Sequence, residues 1–355
     1  MTTIDPKAPV LVTGATGYVA GRLIETLLRR GHIVHATVRN PGDRVKLEPL
    51  ELVAKGLPGS LRFFRADLME SGSFEGAMAG CELVFHTASP FIIGVKDPEK
   101  ELVEPARLGT RNVLEAANRT SSVKRVVVTS SCAAIYGDNA DLETTLGGVF
   151  TEEVWNTSST IRHQAYSFSK AVAEREAWKI AGQQAKWDLV SVNPSLVLGP
   201  GIGLHPTSES FRIMKQQGDG TLRAGTVRLG TGVVDVRDLA EAHYRAGFTP
   251  AARGRYIVSG HDTDFAELAG PLRQTFGSTY PFPTRTLPKW LVWLVGPLAN
   301  EAMTRETVRL NVGLPWKADN RKGIRELGLS YRPLHETVVD FFQQLVDGGV
   351  FPRRA

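Results

Sequence analysis

The sequence predicts a doubly wound α/β fold: a parallel sheet with helices on both faces, joined to a smaller, mostly C-terminal substrate lobe. Three observations predict it. Short apolar, β-branched runs alternate with amphipathic helical stretches through the first half of the 355-residue chain, which is the pattern of parallel βαβ units. The runs are apolar almost without interruption, as strands covered on both faces require. The first run ends in a glycine-rich turn, Gly14-Ala15-Thr16-Gly17-Tyr18-Val19-Ala20-Gly21, that leads straight into a helix.

Residues 10–13 form the first expected strand. Residues 22–30 place Leu23, Ile24, Leu27 and Leu28 at helical spacing and stop at Gly31. Further strands are expected at 33–38, 61–65, 83–87, 125–129 and 188–192, with helices at 108–119 and 167–182. Past residue 195 the alternation loosens, and Gly and Pro thicken at 199–203 and 271–297. The expected division is a main domain of 1–195 plus about 231–260, and a substrate lobe of about 196–230 and 261–355. The runs at 233–238 and 255–258 are read as strands returning to the main domain.

Composition excludes several classes. The chain is 42% hydrophobic and 22% charged, ordinary for a soluble protein, and its net charge of +5 is spread without a Lys/Arg run of five or more. Nucleic acid is therefore not expected, whereas a mildly basic surface suits an anionic small molecule. Cys81 and Cys132 lack metal-ligand or disulfide-framework spacing, so a reducing compartment and no metal are expected. Residues 1–9 carry no signal-peptide core, which points to a cytoplasmic protein. The apolar stretch 287–299 is too short for a bilayer, which needs roughly 20 residues; it reads as packing, with no stable membrane insertion. A monomer or homodimer is expected.

In such folds ligands lie at the carboxyl ends of the strands. Gly14, Thr16, Gly17, Tyr18 and Val19 form the first of these ends, where glycines let backbone approach a pyrophosphate and a helix N-terminus offers free N–H groups. This predicts a dinucleotide site. The second strand ends in Arg39, with no acid until Asp43 and with Arg44 and Lys46 following. A cation there suits a 2′-phosphate, so NADP(H) is expected over NAD(H). Asp67 and Leu68 follow the third strand, placed for the adenine, although Asp67 also reads as a helix cap. Thr87, Ala88 and Ser89 follow the fourth, placed for phosphates and ribose.

Two features carry chemistry. The fifth strand ends Thr129-Ser130-Ser131, and Tyr166-Ser167-Phe168-Ser169-Lys170 opens the helix before the sixth. Positions i and i+4 share a helix face, so Lys170 lies beside Tyr166. A phenol ordinarily holds its proton to near pH 10, and an adjacent ammonium favours the phenolate; the pair is a proton donor with its partner. A serine hydroxyl at the fifth strand would bind the substrate oxygen.

Together these stretches resemble the extended short-chain dehydrogenases/reductases, in the branch of dihydroflavonol 4-reductases, cinnamoyl-CoA reductases and related carbonyl reductases. The matching residues are 12–19, 36–39, 66–68, 84–90, 127–131, 166–170, Asn193-Pro194-Ser195-Leu196-Val197-Leu198-Gly199-Pro200 and 234–240. The resemblance implies that Ser131, rather than Ser130, is the catalytic serine. It implies that Asn112 supports Lys170 through water, that Arg39 binds the 2′-phosphate, and that Pro194, Ser195 and Val197 border the nicotinamide; Thr129 is also expected among the cofactor-binding residues. Tyr136 stands where flavonoid reductases carry a substrate-binding Asn, and the Asn-Trp-Tyr pattern of cinnamoyl-CoA reductases is missing around Tyr166. The expected substrate is a hydrophobic or aromatic ketone or aldehyde, walled by Ile92, Ile93, Tyr136, Phe168 and the late tryptophans. A sugar-nucleotide epimerase or dehydratase, and a non-catalytic NADP sensor, are the competing classes.

Overall fold

The computed structural model describes residues 1–89, 96–205, 207–299 and 303–351. Seven parallel strands form the main sheet: β1 (Val10–Val12), β2 (Ile33–Val38), β3 (Ser60–Arg65), β4 (Leu83–His86), β5 (Arg125–Thr129), β6 (Asp188–Pro194) and, after three strands elsewhere, β10 (Gly254–Val258). Their spatial order is β10-β6-β5-β4-β1-β2-β3. The order reverses between β1 and β4, and this is the topological switch point.

Burial follows the two-residue period of a strand. Val10 and Val12 of β1 face one hydrophobic cluster while Leu11 faces the other. The first cluster takes Leu23, Ile24, Leu27 and Leu28 of α1 (Tyr18–Arg29), with α2 (Arg44–Lys55) and α7 (Val236–Phe248). The opposite face takes α3 (Glu75–Met78), α4 (Glu104–Arg119) and α5 (Ala165–Ala181). Sequence alternation thus becomes a sheet covered on both sides.

At the amino ends of the strands, Arg125 is fully buried. It grips Asp188 through two bonds of 2.8 and 2.9 Å and donates to carbonyls of Ala246, Gly247, Thr249, Pro250 and Ala252. This guanidinium ties β5, β6 and the end of α7 together on the side away from the site.

The second lobe holds β7 (Leu196–Leu198), β9 (Gly230–Asp235) and β11 (His261–Asp264) in one sheet, and β8 (Thr226–Val227) with β12 (Thr286–Leu287) in another. Residues 255–258 do return to the main sheet, as β10. The run expected at 233–238 does not: its strand, β9, pairs with β7 and β11, and α7 starts at Val236. Helices α6 (Glu209–Gly218), α8 (Ala269–Phe276), α9 (Lys289–Ala299), α10 (Arg305–Asn311), α11 (Arg321–Leu327) and α12 (Leu334–Asp347) complete the chain. Phe211, Phe341 and Phe342 centre the core of this lobe. The 287–299 stretch contains α9, but packing accounts for only one side of it. Val292 and Gly296 are buried, while Trp290 is 68% exposed. Among the described residues no helix is long and apolar enough to cross a membrane.

Two buried histidines link the fold to pH. His86 bonds Thr13 at 3.0 Å and His243 bonds Thr129 at 2.7 Å. Burial holds His86 down at about 3, with the charge of Lys170 adding to it, and burial holds His243 at about 4. An unfolded histidine titrates near 6.5, so below that pH the unfolded chain binds more protons. Stability is therefore fully present above about pH 6.5 and falls as the pH drops toward 4, by about 1.4 kcal/mol per pH unit for each histidine. Urea unfolding repeated from about pH 7.5 down to 5 should show the midpoint moving steadily lower; an unmoved midpoint would contradict this assignment.

Candidate active site

The site is a crevice at the β1/β4 switch point. The turn after β1 is set by Gly14, whose φ of +69° is left-handed. A Cβ on Gly14 would stand 2.9 Å from the Ala88 Cβ and 3.0 Å from its Cα. The two strand ends are stitched together: Thr87 Oγ1 donates to Thr13 O at 2.5 Å, and Ala88 N–H to Thr13 Oγ1 at 3.0 Å. Thr16 and Gly17 are exposed at the start of α1, and Val19 is half-buried. The first N–H groups of a helix have no partner within it, so backbone donors stand at the crevice floor.

Tyr18 departs from expectation. Its ring is buried among Phe211 and Phe341, and its hydroxyl donates to Gly199 O at 2.5 Å. Burial, then Asp235, pushes that phenol well up. The side chain ties α1 to the second lobe, leaving only its backbone at the turn.

At the end of β2, Arg39 is exposed and makes no ion pair among the described residues. Arg44 and Lys46, expected to add charge for the cofactor, are turned to their own carboxylates: Arg44 to Glu51 at 3.1 Å and Lys46 to Asp43 at 2.8 Å. The Lys46 ammonium lowers the Asp43 carboxyl from its ordinary value. After β3, Asp67 accepts from Met69 N–H at 2.8 Å, closing a turn rather than capping a helix, since α3 starts only at Glu75. The amide of Asn112 donates to Leu68 O at 2.7 Å and holds the loop after β3 against α4.

The fifth strand separates its hydroxyls. Thr129 Oγ1 is engaged by His243, on the side of α7. Ser130 is buried and donates to Glu174 Oε2 at 2.6 Å. Ser131 is only half-buried; its Oγ accepts from Ala133 N–H at 3.1 Å, capping the 3-10 turn Cys132–Ala134. With a lone pair so occupied, the Ser131 O–H is left to donate outward.

Helix α5 opens at the crevice and packs against that turn. Tyr166, one residue inside it, is 43% exposed, unusually open for a large aromatic. Lys170 Nζ lies 5.7 Å from the Tyr166 ring centroid and donates to Ser89 Oγ at 3.0 Å. So Lys170 joins α5 to the end of β4. Beneath it lies a cavity of about 20 Å³ bordered by His86, Ser89, Thr129, Ser130, Lys170 and Glu174. Pro194 is buried, Val197 is half-buried in β7, and Ser195 carries a buried hydroxyl with no partner among the described residues.

On the substrate side, Phe168 is half-buried. Tyr136 is stacked on Phe150 at 4.7 Å and lies edge-on to Trp316 at 6.0 Å. Burial raises its phenol well above the ordinary value. It is half-buried beside this aromatic cluster. Ile92 and Ile93 lie outside the described residues.

Sequence reasoning missed the segment that positions Tyr166. Gln164, at φ +57°, is the one non-glycine residue with positive φ among the described residues. Its side chain and that of His163 donate to buried Asp138 at 3.1 and 2.6 Å, and Asn311 of α10 donates to the same carboxylate at 2.6 Å. These partners are 25 to 173 residues apart in the chain, and no motif joins them.

A doubly wound sheet with a glycine turn, a strand-end serine and a Tyr–Lys pair at its switch point defines a nicotinamide-dinucleotide oxidoreductase acting on CH–OH and C=O groups. The model of the NAD dependent epimerase/dehydratase family matches residues 10–258. The chain is 38% identical to the cinnamoyl-CoA reductase CAD2 of Medicago truncatula, over 76% of this chain and 81% of that protein. It is 35% identical to tetraketide alpha-pyrone reductase 1 of Arabidopsis thaliana, over 97% of both. Among solved structures it superposes on Gre2 from Candida albicans in complex with NADPH, with a TM-score of 0.75, 26% identity and coverage of 96% and 99%. The chain belongs to the NAD dependent epimerase/dehydratase family, within the extended short-chain reductases of the dihydroflavonol and cinnamoyl-CoA reductase branch.

Gly14→Ala tests the crevice. A side chain at this φ costs about 1–2 kcal/mol, and its methyl must also displace Ala88. The variant should unfold at lower urea and bind NADPH at least about tenfold more weakly by fluorescence titration; unchanged binding would refute the close approach.

Proposed function

We propose that this chain is an NADPH-dependent reductase of ketones or aldehydes with hydrophobic or aromatic bodies, with Tyr166 as general acid. The observation that carries this reading is the open Tyr166 phenol, one helical turn from Lys170, beside the turn that Ser131 caps with its O–H free to donate. The residues fit a bound dinucleotide. Gly14, at φ +69°, turns the chain into the exposed start of α1 at Thr16 and Gly17, and Ser195 presents a buried hydroxyl without a partner among the described residues. Arg39 favours NADP(H), because it is exposed and the carboxylate nearest in sequence, Asp43, already faces Lys46.

When bound, the cofactor supplies hydride to the carbonyl carbon. Ser131 holds the substrate oxygen by donating to it, and Tyr166 gives that oxygen its proton. The Lys170 ammonium stabilises the negative charge left on the phenol oxygen. Ser89, bonded to Lys170, fixes where that ammonium stands. Phe168 and the half-buried Tyr136, backed by Phe150 and Trp316, make the substrate side apolar. Reductase relatives and the NADPH complex of Gre2 support the same direction of reaction.

NADPH oxidation against aryl ketones and aldehydes is the direct assay. Tyr166→Phe should lower kcat about 10²–10⁴-fold while NADPH binding persists; an undiminished rate would remove Tyr166 from the chemistry. Arg39→Ser should lower NADPH affinity by roughly 10- to 100-fold and leave NADH affinity unchanged, as expected for loss of a charge-assisted hydrogen bond. Equal losses for both cofactors would remove Arg39 from the 2′-phosphate.

A further inference from the structure

Four residues past Lys170, on the same face of α5 as Tyr166 and Lys170, stands Glu174. It is 1% exposed and ion-paired with Arg255 of β10, itself 7% exposed, at 2.8 Å. Its carboxylate receives only donors. Arg255 Nε and Trp178 Nε1, at 3.1 Å, reach Oε1; Ser130 Oγ and Asn193 Nδ2, at 2.6 and 2.7 Å, reach Oε2. The site is built for an anion.

Two of those donors lead to Ser131. Ser130 is its chain neighbour. Asn193 uses its amide on both Glu174 and the carbonyl of Ser131, the latter at 3.1 Å. Asn193 is oriented in turn by Ser191 Oγ, which donates to its Oδ1 at 3.0 Å. Arg255 completes the frame. It donates to Ala134 O at 3.3 Å, in the turn that Ser131 caps, and to Glu152 O and Val154 O at 2.9 and 2.6 Å. Its guanidinium lies 3.9 Å over the Trp155 ring.

A buried ion pair contributes little net stability, and apolar residues of equal volume often do as well. What it imposes is one geometry, because each misplaced donor would lose a bond in a dry interior. Here the geometry joins α5, which carries Tyr166, to the strand end that carries Ser131.

We propose that Glu174, braced by Arg255, is a positioning residue: it sets the Ser131 hydroxyl relative to the Tyr166 phenol. This rests on the reading of Ser131 and Tyr166 as the pair that meets the substrate oxygen. Glu174 itself touches no substrate.

Ser130→Ala is the mild test, since it deletes one donor and leaves the ion pair. We expect kcat to fall about tenfold, with the NADPH Kd within twofold and thermal stability nearly unchanged. Backbone amides of 130–136 should exchange hydrogen faster by mass spectrometry, while those of α12 stay as they were. Glu174→Gln should lower kcat about 10²-fold, because an amide group must now face donors. Should Glu174→Gln fail to fold, Ser130→Ala decides. Wild-type turnover and local exchange both retained in Ser130→Ala would overturn the proposal. So would a loss of stability spread evenly over the chain, which marks a merely structural role. If the wild-type protein reduces no carbonyl, the reading of the reaction fails by itself, and the local exchange of 130–136 still decides whether Glu174 positions that segment.

Discussion

The contact on which the crevice depends is between two strand ends that share no sequence neighbourhood: the turn at Gly14 and the backbone at Ala88. They meet with no room for a side chain, because the sheet reverses its order between β1 and β4 and both chains must leave the same gap. Thr13 and Thr87 close that gap with side chain-to-backbone bonds. Everything that would face a dinucleotide is referenced to this seam. Helix α1 starts from one side of it. Ser89, and through it Lys170, hangs from the other. The glycine turn and the Lys170 end of the crevice are therefore fixed by one close approach.

The second lobe is tied to the same seam. Tyr18 leaves the glycine turn to bond Gly199, and Arg22, one turn along α1, donates to Pro200 O at 2.7 Å. Gln344 of α12 then bonds Gly201 through both of its amide atoms. So the helix that starts at the glycine turn is also bonded to residues 199–201 and, through them, to α12. At the opposite end of the sheet, the buried Arg125 holds the strand beginnings, with no role at the site. Two buried arginines thus serve different ends of one sheet.

Much of this was legible in the sequence. The strands of the main sheet are buried on both faces, so their apolar runs stand out, and the residues of the glycine turn, of Ser131 and of Tyr166 to Lys170 lie in short contiguous motifs. What was not legible depends on contacts between distant segments. Residues 230–235 are buried throughout, and burial alone does not tell which sheet a strand joins. Arg44 and Lys46 read as cofactor cations, but each has a carboxylate within reach on its own helix or cap. The partners of the half-buried Tyr136 were not legible either, because Phe150 and Trp316 come from far along the chain. Asn112 lies on the expected helix, and its hydrogen bond goes to a loop that no pattern could position.

The central claim is that hydride passes directly between a nicotinamide and a substrate carbon in this crevice. Its most direct measurement uses NADPH carrying deuterium at the transferable position, with the alcohol product analysed by mass spectrometry. The account predicts one deuterium on the carbinol carbon, with the label on one face only. Alcohol formed without that deuterium, or cofactor recovered unoxidised alongside a converted substrate, would contradict it.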